Sequence, residues 1–190
     1  LNTSVITLFT GIQFPFGFSA ESLWVHSVGV AVTSSSLADF LNFPMGDQAY
    51  SCGLIHDIGK LAKLKFNPKK FSEELNKAQE LGWNNNQLEV TQKKIRHDLL
   101  GGEIVKEWGI SPLVEAVAKW HHEEDRSKRI DIEDPSTHKL IDIVQFSNSL
   151  INEMKFGSSG HFQRNDPSEL LLRRLKISES ALVEFKEKLM

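Results

Sequence analysis

An all-α fold follows from three features of the sequence. Apolar residues recur at three- and four-residue spacings through most of the 190 residues. Several of those runs open with a capping residue followed by proline, as at Asn67-Pro68, Ser111-Pro112 and Asp166-Pro167, a start signal specific to helices. No segment alternates apolar and polar residues over the length of a strand.

Taken in order, Ser19 reads as an N-cap, and residues 20–43 as a long helix with an apolar stripe through Val25, Val28, Val32, Leu37, Phe40 and Leu41. The stripe is rich in β-branched residues, but its length and lack of alternation decide against a strand. His26 falls near the start of this helix beside Trp24, where a lone histidine ordinarily caps or packs. Pro44-Met45-Gly46 makes a turn. Residues 47–64 read as a second helix, more apolar than the first and therefore central, with His56 and Asp57 towards its end. Residues 69–81 read as a charged, exposed helix ending at Gly82. After the Asn84-Asn85-Asn86 loop, residues 87–108 read as one helix with Leu88, Ile95, Leu99, Ile104 and Val105 inside. Gly101-Gly102 within it costs about 1 kcal/mol per glycine relative to alanine, so the pair points to close helix packing. Residues 113–121 form a short helix ending at His121-His122, and 126–136 an exposed polar loop. Pro135 opens a helix to Met154, Gly157-Ser158-Ser159-Gly160 is a flexible link, and two short helices follow.

Composition narrows the function. A formal charge of −3 and a pI of about 6.2 argue against electrostatic binding of nucleic acid. The single cysteine, Cys52, allows no intrachain disulfide and fits a reducing, cytoplasmic compartment; its apolar neighbours suit a buried thiol. No apolar run approaches the roughly 20 residues of a membrane span, and no signal peptide is evident. Residues 1–18 are apolar and aromatic without periodicity, and read as the tail of a segment lying upstream. The expected organisation is that tail, a helical core over 19–157, and C-terminal helices over 158–190 packing on it.

Chemistry concentrates in Gly53-Leu54-Ile55-His56-Asp57-Ile58-Gly59-Lys60. An imidazole beside a carboxylate presents mixed N/O ligation that suits several divalent metals. Neighbours on a helix point about 100° apart, so both reach one ion only from over a helix end, where Gly59 would leave the backbone uncrowded. By itself the pair reads first as a histidine hydrogen-bonded to its neighbour at a helix terminus, and only the other histidines shift the reading towards metal. Other histidines widen the pattern: His26, His97 (with Asp98), His121 and His122 each lie near a helix end or a glycine, whereas His138 and His161 sit in polar surroundings and read as solvated.

In that order the segments resemble the HD superfamily of metal-dependent phosphohydrolases. More narrowly, Leu23-Trp24-Val25-His26-Ser27, the His56-Asp57 segment, Arg96-His97-Asp98-Leu99-Leu100-Gly101-Gly102, Trp108-Gly109 and Val117-Ala118-Lys119-Trp120-His121-His122 are similar to HDOD signalling domains, over roughly residues 20–155. The resemblance implies an HD-like helical bundle with a ligand cluster at its centre. It implies His26, His56 and Asp57 at a first divalent metal, His97, His121 and His122 at a second, and Asp57 bridging them. Fe, Mn, Zn and Ni suit such ligands alike. The position of the family's terminal aspartate falls at Asn148, whose neutral amide is the weaker ligand. Lys60 corresponds to a lysine near the phosphate, though a solvated helix-end lysine is an equal reading; with Asp57 it is the expected catalytic pair if the chain hydrolyses phosphate esters. The glycine-tyrosine-proline motif of the cyclic-dinucleotide phosphodiesterases is missing after His122, where Glu123-Glu124-Asp125 stands instead. HDOD domains are mostly regulatory, so the resemblance implies a bacterial signalling module with a protein partner. The alternative is an active phosphohydrolase on a nucleotide or another phosphate-containing small molecule. The plainest alternative is a bundle with polar core histidines and no metal.

Overall fold

The computed structural model describes residues 14–15, 17–162 and 166–189. The first thirteen residues, which carry most of the expected upstream tail, lie outside them. The fold is helical, and among the described residues β pairing is confined to an isolated bridge between Asn84 and His161.

Ser19 caps the first helix reciprocally. Its hydroxyl accepts from the Ser22 amide at 2.9 Å, and the Ser22 hydroxyl accepts from the Ser19 amide at 2.7 Å. Helix α1 (Ala20–Phe40) ends three residues before the expected point. Asn42 turns left-handed and the Phe43 amide reaches back to the Ala38 carbonyl. The expected second helix is two, α2 (Gly46–Ile55) and α3 (Ile58–Phe66), meeting at His56-Asp57. Asp57 stands at the N-cap of α3 yet makes no side-chain cap bond, because its carboxylate is turned inward. Helix α4 (Pro68–Leu81) follows on the Asn67 cap. It is not simply exposed: Phe71 and Leu75 are buried, each contributing about 1.5–3 kcal/mol of apolar burial.

The helix expected over 87–108 is also broken, into α5 (Asn85–Thr91) and α6 (His97–Glu107). Gln92-Lys93-Lys94 carries no glycine or proline to signal the break. Lys93 takes a left-handed conformation, and the Glu89 carboxylate accepts the His97 amide at 3.0 Å, supplying the cap that starts α6. Ile95, expected inside, is 60% exposed. Then come α7 (Pro112–Trp120), a 3-10 turn (Arg126–Lys128), α8 (Pro135–Glu153), α9 (Glu169–Leu175) and α10 (Glu179–Leu189).

Helix α8 is the centre of the bundle, buried almost continuously from Leu140 to Ile151. Its buried Asp142, Gln145, Ser147 and Asn148 disguise that position in the sequence. Helices α1, α2, α7 and α9 pack against it, and α3 and α7 both pack on α6. The segment expected as an exposed loop, 126–136, delivers Arg129 into the interior, where its guanidinium donates to Asp142 Oδ1 at 2.7 Å. A smaller apolar cluster of Phe18, Leu23, Leu64, Phe71 and Leu75 sits beside α3 and α4.

The site depends on one close approach. A Cβ added at Gly59 would lie 1.9 Å from the carbonyl oxygen of His97, and one at Gly101 would lie 3.4 Å from the Gly59 amide nitrogen. Glycines at these two points let α3 and α6 touch through their backbones, which sets His97 beside Asp57. Gly59→Ala is therefore expected to destabilise the fold by about 3 kcal/mol or more, read as a fall in the denaturant midpoint. Burial pushes the Cys52 thiol up to about 12. In the native protein it should resist thiol reagents at pH 8 and react fully once unfolded; fast native labelling would refute this placement.

Candidate metal centre

His56 and Asp57 occupy the break between α2 and α3, so both side chains reach the same interior space over two helix ends. His26 comes from α1, His97 from the first residue of α6, and His121 and His122 from just past the end of α7. The histidines on these separate segments converge. Ring centroids are 5.6 Å apart for His26 and His56, 5.0 Å for His56 and His121, 5.0 Å for His97 and His122, and 4.1 Å for His121 and His122. All six expected His and Asp side chains come together, as two donor sets sharing Asp57. One is His26, His56 and Asp57; the other is Asp57, His97, His121 and His122. Asn148, from α8, neighbours His26, and its amide oxygen accepts from Asn152 at 2.9 Å.

Three of the imidazoles are oriented by backbone or carboxylate acceptors. His56 Nδ1 donates to the Gly53 carbonyl at 2.7 Å, His121 Nδ1 to the Ala118 carbonyl at 2.8 Å, and His97 Nδ1 to Glu89 Oε2 at 2.6 Å. Since these acceptors carry no proton, each ring is held in the tautomer that leaves the Nε2 lone pair facing the interior, as metal-ligating histidines are held. His56 Nε2, His121 Nε2, Asp57 Oδ1 and both nitrogens of His26 are buried without a hydrogen-bond partner. Such orphaned groups are costly unless something satisfies them. His97 Nε2 lies 3.0 Å from His122 Nε2 and 3.3 Å from Asp57 Oδ1; His121 Nε2 is 3.4 Å from Oδ1, and His56 Nε2 is 3.4 Å from Oδ2. Donors each about 2.1 Å from one cation are about 3.0–3.4 Å apart. The donor set thus fits divalent metal by chemistry, orientation and spacing.

Electrostatics agree at three of the rings, while at His97 the Glu89 carboxylate outweighs burial and raises the imidazole. Burial lowers His26 to about 3 and holds His121 down and His122 well down, with neighbouring histidines adding to the effect. These rings are neutral near pH 7, the state that ligates. Burial alone would raise the Asp57 carboxyl, but the charge of Lys60, with the His56 ring beside it, outweighs burial and holds the group well below the usual range. Lys60 is fully buried and donates to Asp57 Oδ2 at 2.8 Å, so it is not a solvated helix-end lysine.

Three features were not legible in the sequence. Glu89 is one: besides orienting His97, it accepts from Lys63 at 2.5 Å and Asn85 at 2.8 Å. Lys63 in turn pairs with Glu74 at 2.5 Å. His161 is another. Expected in solvent, it stacks on His122 with ring centroids 5.6 Å apart and an unpartnered, buried Nε2, because the strap after Gly157 docks on α1. The third is a polar cleft of about 270 Å³ beside the second donor set, lined by Asn84, Asn86, His121, His122, Asn148 and His161 among others. His138, also expected in solvent, is half-buried and meets the Ile132 carbonyl.

Glu89→Ala would take one of two carboxylates from the buried Lys63, leaving Glu74, and would free the His97 ring. The expected cost is about 3–5 kcal/mol in denaturant unfolding. Glu89→Gln should fold, and bind metal roughly 10–100-fold more weakly than the parent, by competition with a chelating dye.

The sequence model of the HDOD domain matches residues 1–124. Among solved structures, an HDOD domain protein of unknown function from Geobacter sulfurreducens superposes with a TM-score of 0.67 at 20% identity, covering 97% of this chain and 66% of that one. The MmoQ response regulator from Methylococcus capsulatus str. Bath gives 0.63 at 21% identity, covering 89% and 62%. A protein named "Putative phosphohydrolase" from Shewanella amazonensis SB2B gives 0.58 at 17% identity, covering 94% and 67%. This chain therefore spans about two thirds of the length of those structures. A search of curated proteins gives no match. Among the described residues no helix is long and apolar enough to cross a membrane. With the family's sequence model matching nearly two thirds of its length and its helical fold shared with a solved HDOD protein, the chain belongs to the HDOD family.

Proposed function

We propose that this chain is a regulatory HDOD module of bacterial signalling, cytoplasmic, whose helical core holds divalent cations and which acts through a protein partner. The observation that carries the metal reading is the convergence of two donor sets on the single carboxylate of Asp57, with lone pairs aimed inward and unsatisfied. His26, His56 and Asp57 would hold a first cation, with Asn148 adjoining, and Asp57, His97, His121 and His122 a second. The regulatory reading rests on two departures from the hydrolase pattern: a neutral amide at position 148 and Glu123-Glu124-Asp125 after the double histidine. The structural likeness to a protein described as a response regulator supports it.

A second reading is hydrolysis of a phosphate ester, favoured by the open cleft beside His121 and His122. Divalent metal would there polarise a phosphoryl oxygen and bring the pKa of a bound water down to about 7. The chain's own contribution is positional. Gly53, Ala118 and Glu89 hold three imidazoles in one tautomer. Lys60 sets its charge against the Asp57 carboxylate. Asn84, Asn86 and Asn148 offer hydrogen bonds to a polar ligand in the cleft.

Elemental analysis of protein purified without added metal tests the centre. We expect Fe, Mn, Zn or Ni at one to two ions per chain, about half that content in His97→Ala, and only traces in Asp57→Ala. Substoichiometric metal across all four elements in the parent would overturn the metal reading. Turnover in a phosphate-ester screen that disappears in Asp57→Ala would replace the regulatory reading with the hydrolytic one.

A further inference from the structure

On the side of α8 that carries Asp142, three arginines share one carboxylate. Arg126 Nη2 reaches Asp142 Oδ2 at 2.5 Å, Arg129 Nη2 reaches Oδ1 at 2.7 Å, and Arg174 Nε lies 3.1 Å from Oδ2. The arrangement draws on the segment after α7, on α8 and on α9. Arg129 is wholly enclosed and satisfied: it also donates to the carbonyls of Glu123 and His138 and to Gln145 Oε1. The other two guanidiniums are satisfied only in part, Arg174 Nη1 donating to the Glu124 carbonyl at 2.7 Å. Arg126 Nε and Arg174 Nη2 are buried N–H groups with no hydrogen-bond partner.

Charge makes the same point as the unpaired donors. Asp142 neutralises one guanidinium of three, and partly buried cations are expensive to leave uncompensated. Burial pushes Arg129 below its usual range, and Arg174 and Arg126 push the same way against Asp142. Arg126 and Arg174 also line a surface cavity of about 550 Å³ with Lys139 and Lys176, over the apolar side chains of Phe40 and Leu175. Among the described residues lining it there is no carboxylate. Lys139 is held over the Phe43 ring at 4.5 Å. Four cations around one concavity, two with unsatisfied planar donors, match the several acceptor oxygens of a phosphate group.

We propose that this cavity is an anion site for a small phosphate-bearing molecule, separate from the metal centre. The anion would be held by Arg126 and Arg174, with Lys139 and Lys176 at the rim. The site joins α8 and α9 to the α1 end, so ligand there would tie the C-terminal helices to the core.

The test is calorimetric titration of the full chain with inorganic pyrophosphate at low ionic strength. We expect saturable binding of one anion per chain that weakens as salt is raised. The double variant Lys139→Glu/Lys176→Glu should bind at least roughly tenfold more weakly, and Arg126→Gln should likewise lose affinity. Asp57→Ala should bind as the parent does, which separates this site from the metal centre. Thermal unfolding checks that the variants fold; should the double reversal fail, Lys139→Gln/Lys176→Gln replaces it with the same expected direction. No binding at millimolar pyrophosphate overturns the proposal. So does binding that survives the lysine substitutions and vanishes in Asp57→Ala, since the anion would then sit on the metal centre.

Discussion

A carboxylate taken out of water is stable only when enough positive or donor groups are held against it, and in this chain that carboxylate is Asp57. It is 2% exposed and meets Lys60, His56, His97 and His121 within 3.4 Å. Those partners arrive from both sides of a helix break, from α6 and from the end of α7. Holding them in place constrains the surrounding structure: α2 must stop where it does, α3 must touch α6 without side chains between them, and α7 must end at His121. The bundle is arranged to keep one charge buried and accessible from two directions.

Around that carboxylate lies a layer that acts only by orientation. The carbonyls of Gly53 and Ala118 and the carboxylate of Glu89 decide which nitrogen of each imidazole carries its proton. Glu89 couples this layer to the rest of the fold. It caps α6, sets His97, and is itself held by a buried lysine that also meets Glu74 on α4. Ligand geometry at the centre and stability of the outer helices therefore share atoms. Net charge is handled differently on the far side of α8, where cations outnumber the one carboxylate. The two regions, one rich in unsatisfied acceptors and the other in unsatisfied donors, invite ligands of opposite sign.

Much of the centre was visible beforehand because its residue types are rare and chemically specific. Histidines beside glycines or helix ends, two of them next to an aspartate, could be picked out without knowing any contact. Glu89 and Asp142 could not. A glutamate or an aspartate on a polar-looking helix is ordinary, and only the arrival of a distant lysine or arginine makes it structural. His161 looks solvated in the sequence for the same reason: its neighbours in sequence are polar, while its neighbours in space are His122 and the cleft.

Read alone, the sequence determined the helical class, the caps at Ser19, Asn67 and Ser111, the family resemblance and which side chains could ligate metal. These depend on local periodicity, on hydrogen bonds within a turn or two, and on residue chemistry. Tertiary structure alone decided where the helices break. Good helix formers run through residues 92–94, and the chain turns there because a carboxylate on α5 captures the amide that starts α6. It also decided that α8, diluted by polar residues, is the central helix. Burial of those residues depends on partners brought from far along the chain, and no local pattern encodes them.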